Sequence, residues 1–316
     1  MKNFRYVMYS VILTVLGFGL WIAIKDYEKI LSAITRIGWL GFLFTCMLSL
    51  VNYSFRFLRW KYLLKTLGDN MPFVDGLVSY ISGFSLTTTP GKVGETVRCV
   101  YFKQRYGINH THTLAAILTE RASDALASLL LASAVLYTFA AYRWIGASFL
   151  LLLLGVITGV KQSHKIIPFV RRMPLSKITL MQNIMDALPI LVERSAKLFS
   201  PNIIGTCVLL ALVSWSAEAL GFAWLSLRLG GVASPALYMS IFAIGMIAGA
   251  ATFSPGGLGG AEMVLYWLLK VTGLDDASSV AITVVCRVAT LWFAVMLGLL
   301  AVLWLEHHPP PVDTTA

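Results

Sequence analysis

Charged side chains interrupt otherwise apolar runs at a few places, and their spacing is that of helical faces. Asn52, Arg56 and Arg59 fall at i, i+4 and i+7, which places them on one side of a helix. Arg121 and Asp124 share a face at i, i+3, with Glu120 beside them, and Glu95 and Arg98 share another. Glu218 stands in a separate apolar run, and Glu262 and Arg287 are expected to pair in the second half of the chain. Guanidinium groups hold phosphate oxygens bidentately. The carboxylates would either keep the charged arginines soluble inside a bundle or exchange with a substrate. A set of buried structural ion pairs is the competing reading. Charges within membrane spans are costly enough to make a functional role the working hypothesis.

Two glycine-proline breaks accompany these charges. Pro90, Gly91, Lys92, Val93 and Gly94 precede Glu95. Pro255, Gly256, Gly257, Leu258, Gly259 and Gly260 stand shortly before Glu262. A break inside an apolar arm leaves the N-terminus of the next helix at membrane depth. Its free N–H groups and positive dipole end attract an anion. Glycine lets a headgroup approach the backbone closely, but it serves tight helix packing equally well.

The elements that carry these residues follow from composition. Of 316 residues, 58% are hydrophobic and 13% charged, and the mean hydropathy is +0.77. That excludes a soluble enzyme, a disordered chain and a collagen-like repeat. A β-barrel is excluded because the apolar runs are continuous rather than alternating. The expected fold is an all-α polytopic membrane protein. It has about six full spans, near 7–24, 40–62, 112–140, 144–160, 203–228 and 278–305, each long enough to cross a bilayer as a helix. Two re-entrant hairpins, 73–106 and 235–271, add to them. Residues 26–38 are expected to lie in the interface as an amphipathic stretch. A cytoplasmic amphipathic linker is expected over 161–200. The first apolar run reads as an uncleaved anchor rather than a signal peptide.

The net charge of +10 reads as positive-inside bias and contact with anionic lipid, not nucleic-acid binding. With both termini inside, 18 basic residues fall near the cytoplasm and seven on the other side. Six spans keep both termini together, so the N- and C-termini are expected to be cytoplasmic.

The two halves resemble each other. Leu67-Gly68 matches Leu229-Gly230 and Gly83 matches Gly245 at an offset of 162; the glycine-proline breaks match at 165; Gly107 and Arg121 match Gly273 and Arg287 at 166. Within one 316-residue transmembrane domain, repeat 1 spans about 40–140 and repeat 2 about 203–305. Each unit is span, broken hairpin, span. The odd span between them inverts the second unit. Inverted repeats with broken helices at matching places mark transporters with a midplane site. Cys46, Cys99, Cys207 and Cys286 are scattered and give neither a metal spacing nor a disulfide framework. No cofactor or metal is expected, and no nucleotide-binding or nucleophile-elbow motif occurs.

The segments Pro90 to Glu95 with Arg98, Glu120-Arg121-x-x-Asp124, Pro255 to Gly260 with Glu262, and Arg56-x-x-Arg59-Trp60 resemble the lysylphosphatidylglycerol synthase transmembrane family. The resemblance covers about 8–305. In the larger multiple peptide resistance factors, this unit flips aminoacylated phosphatidylglycerol and is followed by a soluble aminoacyl-transfer domain. Beyond its last span this chain has only a short tail, so it is expected to lack that domain and not to make the lipid. The resemblance implies a flippase of the bacterial inner membrane, acting on an anionic phospholipid, a glycolipid or a polyprenyl-phosphate-linked lipid. Membrane lipids are the expected partners, with a homo-oligomer and a lipid-synthesising enzyme as further ones. Two other readings remain: an intramembrane headgroup transferase with Glu95 or Asp124 as base, and a secondary transporter of a small solute.

Overall fold

A computed structural model describes residues 27–89, 94–133 and 190–308, with isolated positions 147, 151, 155 and 158. The expected spans 7–24 and 144–160, the end of the third span and most of the 161–200 linker lie outside the described residues. The described residues form helices and turns, with no strand among them.

Helix α1 runs Tyr27–Thr66 and bends at Gly38, where φ is +70°. Such a value suits glycine alone. The part before the bend does not simply lie on an interface. Ile30, Ala33 and Ile37 are buried, and Ala33 and Ile37 share a core with Ala281, Ile282 and Val285. Beyond the bend, α1 is sorted like a lipid-facing helix. Trp39, Leu40, Leu43, Met47 and Leu50 are exposed, whereas Thr45, Ser49, Asn52, Arg56 and Arg59 are buried. The side turned inward is polar.

The first hairpin consists of α2 (Phe73–Ile81), a 3-10 turn (Ser82–Leu86) and α3 (Val97–Tyr106). Helix α4 (His110–Leu131) follows. Its three charges at 120, 121 and 124 keep it from reading as a plain apolar span. After the residues left undescribed come α5 (Pro201–Arg228), α6 (Pro235–Ala251), a 3-10 turn (Pro255–Gly257) and α7 (Gly260–Val271). The last stretch is α8 (Asp276–Arg287), a π-helical turn (Val288–Trp292) and α9 (Phe293–His307). Among the described residues, Tyr27–Thr66, Pro201–Arg228 and Asp276–His307 are long and apolar enough to cross a membrane.

Helix α1 packs most extensively on α5, and the two run antiparallel. A Cβ at Gly41 would meet Trp224, one at Gly221 would meet Thr45, and Asn52 bonds to Ser214. Residue numbers rise on one helix as they fall on the other. Small residues allow this approach.

The hairpins enter from opposite ends. At one end Arg105 and Tyr106 bind Asp75, tying the two arms of the first hairpin together, and Arg105 donates to the carbonyl of His308 at 2.6 Å. At the other end Lys270 pairs with Asp276 at 2.8 Å, and Leu274 shares a core with Ile37. Gly298 on α9 lets the helix lie against the first 3-10 turn; a Cβ there would sit 2.1 Å from the Ser85 nitrogen.

Candidate functional site

Three elements of the first half converge on Glu120, which is fully buried. Its Oε1 accepts from Tyr80 Oη at 2.6 Å and from Arg59 Nη2 at 3.3 Å. Its Oε2 accepts from Arg98 Nη2. The Arg98 guanidinium carbon lies 4.0 Å from the Trp60 ring centre and 4.7 Å from that of Tyr80, so aromatic faces replace the water it has lost.

Asp124 and Glu95 hold the other arginines. Arg59 Nη1 reaches Asp124 Oδ1 at 2.8 Å and donates to Ser123 Oγ at 3.1 Å. Trp215, from α5 in the other half, donates to the same Asp124 oxygen at 3.0 Å. Glu95, in the turn before α3, accepts from Thr87 Oγ1 at 2.7 Å and from Arg121 Nη2 at 3.0 Å.

Arg56 is placed differently. It is 6% exposed, yet its nearest carboxylate oxygens are on Glu120 at 3.8 Å and Glu95 at 3.9 Å. Neither its Nε nor its Nη2 has a hydrogen-bond partner among the described residues. Those distances are too long for hydrogen bonds. Arg59 Nε, Arg98 Nε and Nη1, Asn52 Oδ1 and Asp124 Oδ2 are likewise buried without a hydrogen-bond partner among the described residues, so what sets Arg56 apart is the length of its carboxylate contacts. A buried donor left unmet costs about 1–3 kcal/mol, more when charged. Asn52 uses its Nδ2 on the Ser214 carbonyl at 2.9 Å. It therefore shares a helix face with the arginines but bonds to the other half.

The second half brings Glu262 and Arg287 together as expected. Arg287 Nε donates to Glu262 Oε1 at 2.6 Å, and Nη2 donates to the Gly256 carbonyl at 2.8 Å. The N–H of Gly259 donates to Glu262 Oε2 at 2.6 Å. The helix end expected to attract an anion is thus capped by the chain's own carboxylate. Gly256, Gly257 and Gly259 all have positive φ. A Cβ at Gly257 would lie 3.1 Å from the Gly249 backbone, and one at Gly260 would lie 2.4 Å from Thr252 Cγ2. Gly257 and Gly260 are thus closely packed, whereas a Cβ at Gly259 would meet nothing within 4 Å and its positive φ is what favours glycine there.

The first break is only partly described. Gly94 donates its N–H to Thr89 Oγ1 at 2.6 Å, while Pro90, Gly91 and Lys92 lie outside the described residues. Glu218 is buried and lies, like Arg56, within electrostatic range of Tyr53. Among the described residues no three His, Cys, Asp or Glu side chains gather as a metal site.

Sequence spacing alone does not single out Tyr80, Trp60 or Trp215, because an aromatic in an apolar run reads the same whether it faces lipid or an arginine. Thr87 and Ser123 are also recruited. Their signal is a polar residue within a turn of a charged one.

The lysylphosphatidylglycerol synthase transmembrane region matches residues 7–298. The chain belongs to that family. A UPF0104 membrane protein of Methanothermobacter thermautotrophicus is 24% identical to this family member, over 94% of this chain and 92% of its own. It is therefore an α-helical membrane protein of that family, and its arginine cluster lies at the meeting of the first hairpin, α1 and α4.

Proposed function

We propose that this protein translocates a lipid with an anionic headgroup between membrane leaflets. The headgroup is held at the first-half cluster and the acyl or isoprenoid tails stay in lipid. One observation carries the reading: Arg56 is buried with its Nε and Nη2 unmet, in a cluster that the second half does without.

The second half acts as an internal control. At the repeat offsets, Trp60 and Tyr80 correspond to Phe222 and Phe242, Arg59 to Gly221, Glu120 to Cys286 and Asp124 to Thr290. All five second-half residues are buried. The same architecture is therefore built there without counterparts of Arg59, Glu120 and Asp124, while Arg56 itself corresponds to a buried acid, Glu218. Only the pair of Glu95 with Arg121 has a counterpart, in Glu262 with Arg287. The repeated pair serves the fold, and Arg56, held by no close carboxylate, serves the ligand.

We read the two halves as inverted repeats. Helices α5, α6 and α8 begin at Pro201, Pro235 and Asp276. Trp39 just after the bend, and the starts of α2 and α4 at Phe73 and His110, lie 162, 162 and 166 residues earlier. Antiparallel packing of α1 on α5 and entry of the hairpins from opposite ends support a two-fold axis in the membrane plane. In this arrangement the termini face the cytoplasm and the membrane is the cell's inner membrane.

The test is reconstitution of the purified protein into vesicles carrying a headgroup-labelled anionic phospholipid, glycolipid or polyprenyl phosphate in one leaflet. Exchange above the protein-free rate is the expected result. No exchange of any of the three lipids contradicts the reading.

A further inference from the structure

We propose that the first-half cluster selects its ligand by charge. It is built to accept one net negative charge, as on a phosphodiester, and Arg56 is the residue that accepts it. This rests on the headgroup-binding reading above and narrows it.

Among the described residues of the cluster, four guanidinium groups meet three carboxylates. Arg59, Arg98 and Arg121 each have a carboxylate of their own: Asp124 at 2.8 Å, Glu120, and Glu95 at 3.0 Å. Those pairings use every carboxylate among the described residues of the cluster and leave Arg56 as the surplus cation. Its two carboxylate contacts, at 3.8 and 3.9 Å, are to oxygens that already accept closer hydrogen bonds. Arg59, Arg98 and Arg121 are thus positioning residues that neutralise the acids framing the site.

A net charge away from water is expensive, and it is relieved by a ligand of opposite and equal charge. A phosphodiester carries one negative charge shared by two free oxygens. The unmet Nε and Nη2 of Arg56 lie on one edge of the guanidinium and match two such oxygens bidentately. A phosphomonoester brings a second negative charge. That charge finds no second free cation among the described residues of the cluster and faces Glu95 and Glu120.

The experiment is native mass spectrometry of the full chain at pH 8. Phosphatidylglycerol (a diester, with one ionisable phosphate oxygen) and phosphatidic acid (a monoester, whose phosphate can lose a second proton) are supplied in equal amounts with matched tails. The wild type is expected to retain phosphatidylglycerol by about tenfold over phosphatidic acid, a difference of about 1.4 kcal/mol. Arg56→Gln is expected to abolish that retention. Asp124→Asn keeps an oxygen for Trp215 and adds one positive charge, so it is expected to move the ratio toward phosphatidic acid by a similar factor. Glu95→Gln makes the same change of charge if Asp124→Asn does not fold.

Equal or preferred retention of phosphatidic acid by the wild type overturns the proposal. So does a ratio unmoved by the charge-adding substitution in folded protein. Arg56-dependent binding and exchange of both lipids, without preference, would end charge selection but leave translocation standing. Absence of any Arg56-dependent binding would remove both.

Discussion

The side-chain amide of Asn52 donates a 2.9 Å hydrogen bond to the backbone carbonyl of Ser214, 162 residues away. That separation is also the offset between Leu67-Gly68 and Leu229-Gly230 and between the starts of α2 and α6. Residues in equivalent places of the two halves therefore touch, on antiparallel helices. In the inverted-repeat reading proposed above, a contact of this kind falls on the two-fold axis, perpendicular to α1 and α5.

The axis predicts a cross-link. A Cβ at Gly221 would lie 3.2 Å from Thr45 Cγ2 and 3.9 Å from Thr45 Cα, within reach of a disulfide. With the native cysteines replaced, Thr45→Cys with Gly221→Cys is expected to join readily under mild oxidant. Leu43→Cys with Gly221→Cys should not, because Leu43 is exposed on the helix. Gel mobility after proteolysis between the two sites reads the outcome; equal yields for the two pairs would refute the packing.

The second break is expected to depend on its ion pair. Arg287 is bound to both Glu262 and the Gly256 carbonyl. Arg287→Gln or Glu262→Gln leaves a buried charge without its partner, at a cost of about 3–5 kcal/mol. The double substitution is expected to recover part of that loss. Thermal unfolding in detergent, taken as a double-mutant cycle, measures the coupling; additive losses would mean that the pair is not coupled.

Much of this was legible in the residues. The helical spacing of Arg56 and Arg59, the pairing of Glu262 with Arg287 and the arms of the second hairpin all follow from periodicity and glycine-proline punctuation. Other features follow from contacts that periodicity does not encode. Helix α1 continues past Gly38 toward the N-terminus because Ala33 and Ile37 find a core on α8. Helix α3 starts at Val97 rather than near Lys92; Glu95 lies before it, bonded to Thr87 and Arg121. The Gly256 carbonyl as a partner of Arg287, and the aromatic frame of Arg98, depend on how separate elements meet.

Gly298 gives a further prediction. With a Cβ position 2.1 Å from the Ser85 nitrogen and 2.6 Å from the Phe84 carbonyl carbon, Gly298→Ala must push α9 away from the first hairpin. Overpacking of this kind costs about 1–3 kcal/mol or more. The melting temperature should fall, whereas Gly205→Ala, where a Cβ meets nothing within 4 Å, should leave it nearly unchanged. Equal melting temperatures for the two variants would contradict the close approach.

The turn before α8 supplies a pH-dependent prediction. Burial pushes the Asp275 carboxyl up, but N–H bonds from Ser278 and Ala277 outweigh it and hold the group below its ordinary value. Its stabilisation is therefore present above the unfolded-state pKa of about 3.9 and is lost as pH falls through the lower folded value. Asp275→Ala removes the cap on the Ser278 nitrogen at a cost of about 1 kcal/mol. The gap between wild type and variant in unfolding experiments should be full at pH 7 and shrink below about pH 4; a gap that widens on acidification would contradict the sign.

The central claim is that Arg56 handles a lipid headgroup, and leaflet exchange tests it most directly. Vesicles with headgroup-labelled phosphatidylglycerol in one leaflet would be compared for wild type, Arg56→Gln and empty controls, with folding checked by gel filtration. The account predicts exchange by the wild type and a fall to the empty-vesicle rate for Arg56→Gln, with the protein still folded. Full exchange by folded Arg56→Gln would contradict it.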